Sequence, residues 1–157
     1  MRRGCAVARM LLVSTLSDIY AGVGNYGSVC MGVYRLAFWL REHGQHVDVW
    51  DCNTSKHLML PTLDDADTEV VRAGKLSEAF VVAMGADFDI SSYEWIGFSI
   101  LNDCLPSTLG MIELVKKQYP KAKLVGGNHE VINLNDVLGK SRLDGIVMAD
   151  GEDSMLR

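Results

Sequence analysis

The 157-residue chain has no long hydrophobic run and no excess of basic residues. Apolar runs such as Met10–Val13 and Phe80–Met84 are far shorter than the roughly 20 residues that cross a bilayer, so we expect no membrane span. A formal charge of −5 argues against a protein that binds nucleic acid through its phosphates. Arg9 interrupts the apolar stretch near the N-terminus, which argues against a secretory signal and predicts a cytoplasmic protein.

The chain also lacks closely spaced cysteines. Its four cysteines, Cys5, Cys30, Cys52 and Cys104, are far apart, and no pair has the spacing of a metal or redox motif. We therefore expect buried or unreactive thiols.

What the chain does have is the composition of one packed domain, with 48% hydrophobic and 22% charged residues, and an alternation of strand and helix patterns. The predicted strands are Ala8–Ser14, Val47–Trp50, Trp95–Leu101, Ala122–Val125 leading into Gly126-Gly127, and Gly145–Ala149. The predicted helices are Val29–His43, one or two helices around Asp65–Ala73 and Leu76–Met84, a helix between Pro106 and Pro120, and a short one at Ile132–Leu138.

This order predicts an α/β fold, a five-stranded and mostly parallel sheet with helices on both faces, of the flavodoxin-like or Rossmann-like kind. Ligands of such sheets bind at the carboxyl ends of the strands. The loops of interest are therefore Thr15–Ser28, Asn102–Cys104, Gly127–Glu130 and Asp150–Glu152.

The first of these loops contains a literal G-x-G-x-x-G, Gly22–Gly27, and Asp51 closes the second predicted strand as a ribose-binding acid does. An NAD- or flavin-binding oxidoreductase domain is therefore one interpretation. The residues Thr15–Ala21 separate the first glycine from the strand, however, whereas the dinucleotide motif places it directly after the strand. A cofactor-free flavodoxin-like or receiver-like binding module is another interpretation.

The third and fourth predicted strands end in a more specific pair of motifs. Ser99-Ile100-Leu101 ends the third, and Gly126-Gly127 ends the fourth. A serine hydroxyl can hydrogen-bond a ring nitrogen or an amide, and glycines let the backbone approach a flat ligand closely. This pairing predicts a site for a bulky planar group.

Together these motifs resemble the cobalamin-binding domain, which has S-x-L after its third strand and G-G after its fourth. Two further stretches, Leu36–Val47 (LAFWLREHGQHV) and Leu143–Glu152 (LDGIVMADGE), are similar to patterns of the cobalamin-binding domain that precedes a radical S-adenosylmethionine domain. The resemblance spans residues 1–157 and implies the N-terminal, cofactor-holding part of a longer enzyme, in particular a methyltransferase.

The first loop departs from the pattern of the cobalamin-dependent mutases. Tyr20 stands in the middle of Asp18–Gly22, where those enzymes have a cobalt-binding histidine, so histidine ligation from this position is excluded. Radical S-adenosylmethionine enzymes commonly lack this histidine.

The resemblance implies cobalamin contacts from Tyr20, Gly22, Gly24, Ser99, Leu101, Gly126, Gly127 and Glu152. It also implies S-adenosylmethionine and a four-iron cluster in a following domain, because C-x-x-x-C-x-x-C is absent here.

Overall fold

The computed structural model describes residues 7–15, 31–101, 104–127, 141–147 and 155. The strands are β1 (Arg9–Ser14), β2 (His46–Asp51), β3 (Trp95–Ser99), β4 (Lys123–Gly127) and β5 (Gly145–Val147). The helices are α1 (Met31–Glu42), α2 (Glu69–Asp87) and α3 (Leu105–Gln118), with a short 3₁₀ helix at Ile90–Ser92. None of the helices in these ranges is long and apolar enough to span a membrane.

The five strands form one parallel sheet in the order β2-β1-β3-β4-β5. This confirms the predicted α/β class. The chain runs from β1 outward to β2 and then crosses back to β3, so the strand order reverses between β1 and β3, which is where sheets of this kind bind their ligands.

Helices cover both faces of the sheet, as predicted. On one face α1 packs on β1 and β2, and the core there consists of Met10, Leu12, Val33, Ala37, Leu40 and Val47. On the other face α2 and α3 pack on the sheet, around side chains that include Leu11, Trp50, Phe80, Ile96, Ile112 and Leu124. Successive side chains of a strand point to opposite faces, and here both faces are covered by helices. The side chains of β1 are therefore apolar at consecutive positions.

The spacing of Val33, Leu36, Ala37 and Leu40 predicts one buried stripe on α1, and of these four residues Leu36 is only partly buried. Val33, Ala37 and Leu40 are buried against the sheet. The helix ends at Gly44, whose φ of +81° is a left-handed conformation that favours glycine. The short turn that follows leads directly into β2.

Between Asp51 and Trp95 the structure has one long α-helix, whereas the sequence was consistent with either one helix or two. It begins only at Glu69, after Thr68 accepts a hydrogen bond from the Val71 N–H at 3.4 Å. The expected start at Asp65 is wrong. Asp64 and Asp67 instead hold a turn, in which the Asp64 N–H donates to the Asp67 carboxylate at 2.9 Å.

Strand boundaries also differ from the prediction, by one residue in β1 and β2 and by more at the carboxyl ends of β3 and β4. β3 ends at Ser99 rather than Leu101, although the Ile100 N–H still donates to the Gly127 carbonyl at 3.0 Å. β4 includes both glycines as strand residues. The helix predicted at Ile132–Leu138 lies outside the described residues.

Candidate functional site at the carboxyl ends of the strands

The last residues of all five strands are in register and form one row across the sheet. In the order of the strands they are Asp51, Ser14, Ser99, Gly127 and Val147. Two residues before Ser14, Leu12 packs against α1, and the two-residue alternation of a strand places Ser14 on this same face. The row therefore lies on the α1 face of the sheet.

On the three central strands this row contains only small residues. We call Ser14, Ser99 and Gly127 the strand-end shelf, since no side chain in it is larger than a hydroxymethyl group. Ser14 is buried, whereas Ser99 and Gly127 are partly exposed. A flat group can thus approach the backbone of β3 and β4 closely.

The two glycines of β4 have different surroundings. A β-carbon on Gly126 would lie 2.5 Å from Cδ1 of Ile100 and 2.8 Å from Cδ1 of Leu143, so core side chains already fill its space. A β-carbon on Gly127 would lie 3.3 Å from the carbonyl oxygen of Val147, at the end of the neighbouring strand. Packing therefore accounts for Gly126, and Gly127 is the glycine of the shelf.

Of the predicted site residues that the structure describes, Ser99 and Gly127 lie side by side, whereas Gly126 faces core side chains on the opposite face of the sheet. Ser99 and Gly127 are direct partners in the β3–β4 ladder. Leu101 is partly exposed just past β3, and its carbonyl oxygen accepts a hydrogen bond from the Cys104 N–H at 3.3 Å. The remaining predicted contacts, and the Gly22–Gly27 motif, lie outside the described residues; these contacts are Tyr20, Gly22, Gly24 and Glu152.

Asp51 is bonded within the protein. Its side chain accepts hydrogen bonds from the Tyr34 hydroxyl at 3.2 Å and from both the backbone and the amide nitrogen of Asn53 at 3.0 Å. Only 1% of the residue is exposed. Burial and the nearby carboxylate raise the pKa of Tyr34, which therefore stays a donor at neutral pH. Asp51 thus fastens the turn after β2 to helix α1.

A second polar pair at this end of the sheet was not expected from the sequence. The hydroxyls of Thr15, which follows β1, and Thr108, in α3, are 2.8 Å apart and buried. The position of Thr108 in the first turn of α3, two residues after Pro106, was the available sign, since the first turn of a helix that follows a strand lies close to the strand ends.

The two described cysteines confirm the expectation of buried thiols. Cys52 and Cys104 are 2% and 0% exposed. Burial, reinforced by the charge of Asp51, strongly raises the pKa of Cys52, so the thiol stays protonated and is a poor nucleophile. Within the described part of the chain, no three histidine, cysteine or acidic side chains converge as metal ligands do.

No protein-family model matches this chain, and no curated protein matches it significantly. What bears on function is therefore the geometry of the strand ends together with the motifs in the sequence.

Proposed function

We propose that this chain holds a cobalamin at the carboxyl ends of its parallel strands, as the cofactor-holding domain of a radical S-adenosylmethionine enzyme, in particular a methyltransferase. The observation that carries the proposal is the strand-end shelf. Three adjacent central strands end in register on serine, serine and glycine, at the point where the strand order reverses.

The size and chemistry of the shelf suit a corrin or its nucleotide tail. Neighbouring strands are about 4.8 Å apart, so the partly exposed Ser99 and Gly127 offer a flat surface about 5 Å wide beside the buried Ser14. A broad planar ligand can rest on such a surface without meeting a bulky side chain. A serine hydroxyl can donate one hydrogen bond and accept two, which suits the amides at the rim of a corrin and the ring nitrogens of its tail.

Cobalamin bound here would supply a cobalt centre that carries a methyl group. The share of this chain is to bind the cofactor, shield one side of it from water and orient it toward another domain. Tyr20 in place of the cobalt-binding histidine favours the radical enzymes over the mutases. S-adenosylmethionine and the four-iron cluster belong to a following domain in this proposal.

The surroundings of Asp51 favour cobalamin over a dinucleotide. A ribose-binding acid must offer its carboxylate to the ligand, whereas the carboxylate of Asp51 is buried and bonded to Tyr34 and Asn53. The two classes of cofactor also differ in colour, because bound cobalamin is red or orange, flavin is yellow and NAD is colourless in the visible range.

The test is to titrate the purified protein with hydroxocobalamin, remove free cofactor by gel filtration and measure corrin absorbance in the protein peak. We expect about stoichiometric retention. Gly127→Leu would place a large side chain on the shelf, and we expect retention to fall about tenfold while the circular dichroism spectrum stays unchanged.

Gly74→Leu is the matched control for this substitution. Gly74 lies on α2, at the other face of the sheet, and a β-carbon there would meet no atom within 4 Å. This variant should retain cobalamin as the parent does. A parent protein peak without corrin absorbance would count against cofactor holding, and equal retention by Gly127→Leu and the parent would show that the ligand surface lies elsewhere.

A further inference from the structure

A groove of about 570 Å³ lies at the opposite end of the sheet, where β1 and β2 begin. We call it the amino-end groove. Its lining residues are Arg9, Arg41, Gln45, His46, Val47 and Asp48. The volume is within the range of small-molecule sites, about 300 to 1,000 Å³. The groove is some 17 Å from the strand-end shelf, the approximate length of β1.

Two of the lining residues are held side by side by the sheet itself. Arg9 and His46 are direct partners in the β1–β2 ladder, so their side chains project from the same face of neighbouring strands. The guanidinium of Arg9 lies 4.6 Å above the ring of Tyr93 and 3.7 Å from the carboxylate of Asp48. These contacts restrict the Arg9 side chain before any ligand binds.

Arg41 reaches the groove from the last turn of α1. Its Nε donates to the Val47 carbonyl at 2.7 Å, and within the described part of the chain its terminal nitrogens have no hydrogen-bond acceptor. The side-chain oxygen of Gln45 accepts from the Ala8 N–H at 3.2 Å, so its amide nitrogen stays available as a donor. The tight turn at Gly44 brings these two residues next to β2.

Hydrogen-bond donors therefore outnumber acceptors in the groove. Arg9, Arg41 and Gln45 all supply N–H groups. The one acid, Asp48, already accepts from the Tyr93 hydroxyl at 2.7 Å and pairs with Arg9. With two permanent positive charges against one negative charge, the groove is locally cationic in a chain whose net charge is −5.

We propose that the amino-end groove binds a small molecule through a phosphate group. The donors come from both faces of the sheet at its β2 edge. Arg9 and His46 project from one face, and Arg41 reaches the groove from α1, which covers the other face. A tetrahedral phosphate offers oxygens in several directions, whereas a planar carboxylate offers two in one plane, and guanidinium groups match phosphate oxygens well. The volume beyond the phosphate leaves room for an organic group. The proposal does not rest on cobalamin binding at the shelf.

The test is a titration of ¹⁵N-labelled protein with inorganic pyrophosphate, at an ionic strength held constant with sodium chloride. We expect saturable shifts of the backbone amides of Gln45 and His46 and of the Nε–H signals of Arg9 and Arg41. The amide of Gly127, at the other end of the sheet, should not shift. Shifts that rise linearly without saturation would overturn the proposal.

Three variants make the test specific. Arg41→Gln and His46→Gln should each weaken pyrophosphate binding, with Arg41→Gln losing about tenfold because a charged hydrogen bond is lost. Both residues are exposed, so the variants should fold like the parent, which circular dichroism checks. Arg142→Gln removes an exposed arginine that pairs with Glu113 at 3.3 Å, and it should bind as the parent does. Equal weakening by Arg41→Gln and Arg142→Gln, which each remove one positive charge, would reduce the effect to net charge and overturn the site.

Citrate at the same ionic strength separates phosphate from carboxylate recognition. We expect citrate to bind at least about tenfold more weakly than pyrophosphate, because a carboxylate engages donors from fewer directions. Citrate binding as tight as that of pyrophosphate would overturn the assignment to phosphate.

Discussion

The two ends of the sheet are built from opposite kinds of residue. Four of the five strands begin with large or charged side chains, which are Arg9, His46, Trp95 and Lys123. The central strands end on Ser14, Ser99 and Gly127, which have small side chains or none. Both ends belong to the same parallel ladder, so the difference in chemistry comes from the side chains alone.

This contrast separates two kinds of binding surface on one fold. The carboxyl end offers a flat surface of backbone and hydroxyl groups, whereas the amino end offers fixed positive charge. The two are about 17 Å apart, beyond the Debye length of roughly 8 to 10 Å at physiological salt. Charges at the amino end should therefore have little influence on a ligand at the shelf, and the two proposals can be tested independently.

The largest loss of stability that we expect comes from substitution of Gly126. This glycine faces the core, whereas its neighbour Gly127 belongs to the strand-end shelf. Gly126→Val would force methyl groups into space already filled by Ile100 and Leu143. Overpacking of this kind costs about 2 to 3 kcal/mol of unfolding free energy. Urea denaturation followed by circular dichroism measures the loss.

Gly127→Val is the matched substitution one residue later. Its β-carbon would lie 3.3 Å from the Val147 carbonyl oxygen, a tight contact that a shift of a few tenths of an ångström relieves. We expect a change in unfolding free energy of less than about 1 kcal/mol. Equal destabilisation by the two variants would mean that both glycines serve packing, and the contrast between core and shelf would disappear.

The sequence was sufficient to predict the sheet and the first helix. Continuous apolar runs such as Leu11–Val13 identify strands that are covered on both faces, and the spacing of Val33, Ala37 and Leu40 identifies one buried stripe. These patterns are set by residues that are close together in the sequence. The sequence alone was therefore enough to predict these elements, and the structure confirms them.

Features that depend on register or on competing local hydrogen bonds could not be predicted. The start of α2 is set by the turn at Asp64 and Asp67, which a helical pattern does not reveal. The different surroundings of Gly126 and Gly127 depend on which face each residue points to. The amino-end groove depends on the pairing of Arg9 with His46, residues that are far apart in the sequence.

We expect a second, smaller loss of stability when the contacts between α2 and the segment that follows β2 are removed. Asp87, in the last turn of α2, accepts hydrogen bonds from Trp50 Nε1 at 2.9 Å, from the Ser55 hydroxyl at 2.5 Å and from His57 Nδ1 at 2.6 Å. Asp87→Ala would leave the N–H of the buried Trp50 without its acceptor. We expect a loss of about 2 kcal/mol in urea denaturation. Glu78→Ala, on the exposed side of α2, should change stability by less than about 0.5 kcal/mol.

The contribution of Asp87 should depend on pH. Burial alone would raise the pKa of Asp87, but the hydrogen bonds from Ser55, His57 and Trp50 outweigh it and lower the pKa below its ordinary value. The stabilisation is therefore complete above the ordinary carboxyl pKa and is lost as the pH falls through the lower value in the folded protein. In Asp87→Ala, unfolding free energy should fall less steeply below pH 4 than in the parent. The same acid slope in both proteins would contradict this account.

The smallest loss of stability that we expect comes from removal of the Tyr93 hydroxyl, which lies beneath the amino-end groove. Tyr93 is 4% exposed and donates to Asp48, and burial together with the carboxylate raises its pKa to about 12. Tyr93→Phe keeps the ring under Arg9 and removes the hydrogen bond, so we expect a loss of about 1 kcal/mol at neutral pH. Because the pKa is raised by folding, the contribution of the hydroxyl is complete below pH 10 and is lost between about pH 10 and 12, and the variant should lack this alkaline loss.

Cobalamin retention should be unchanged in the Tyr93→Phe variant. A loss of retention would show that the two ends of the sheet are coupled, against the independence that their separation predicts.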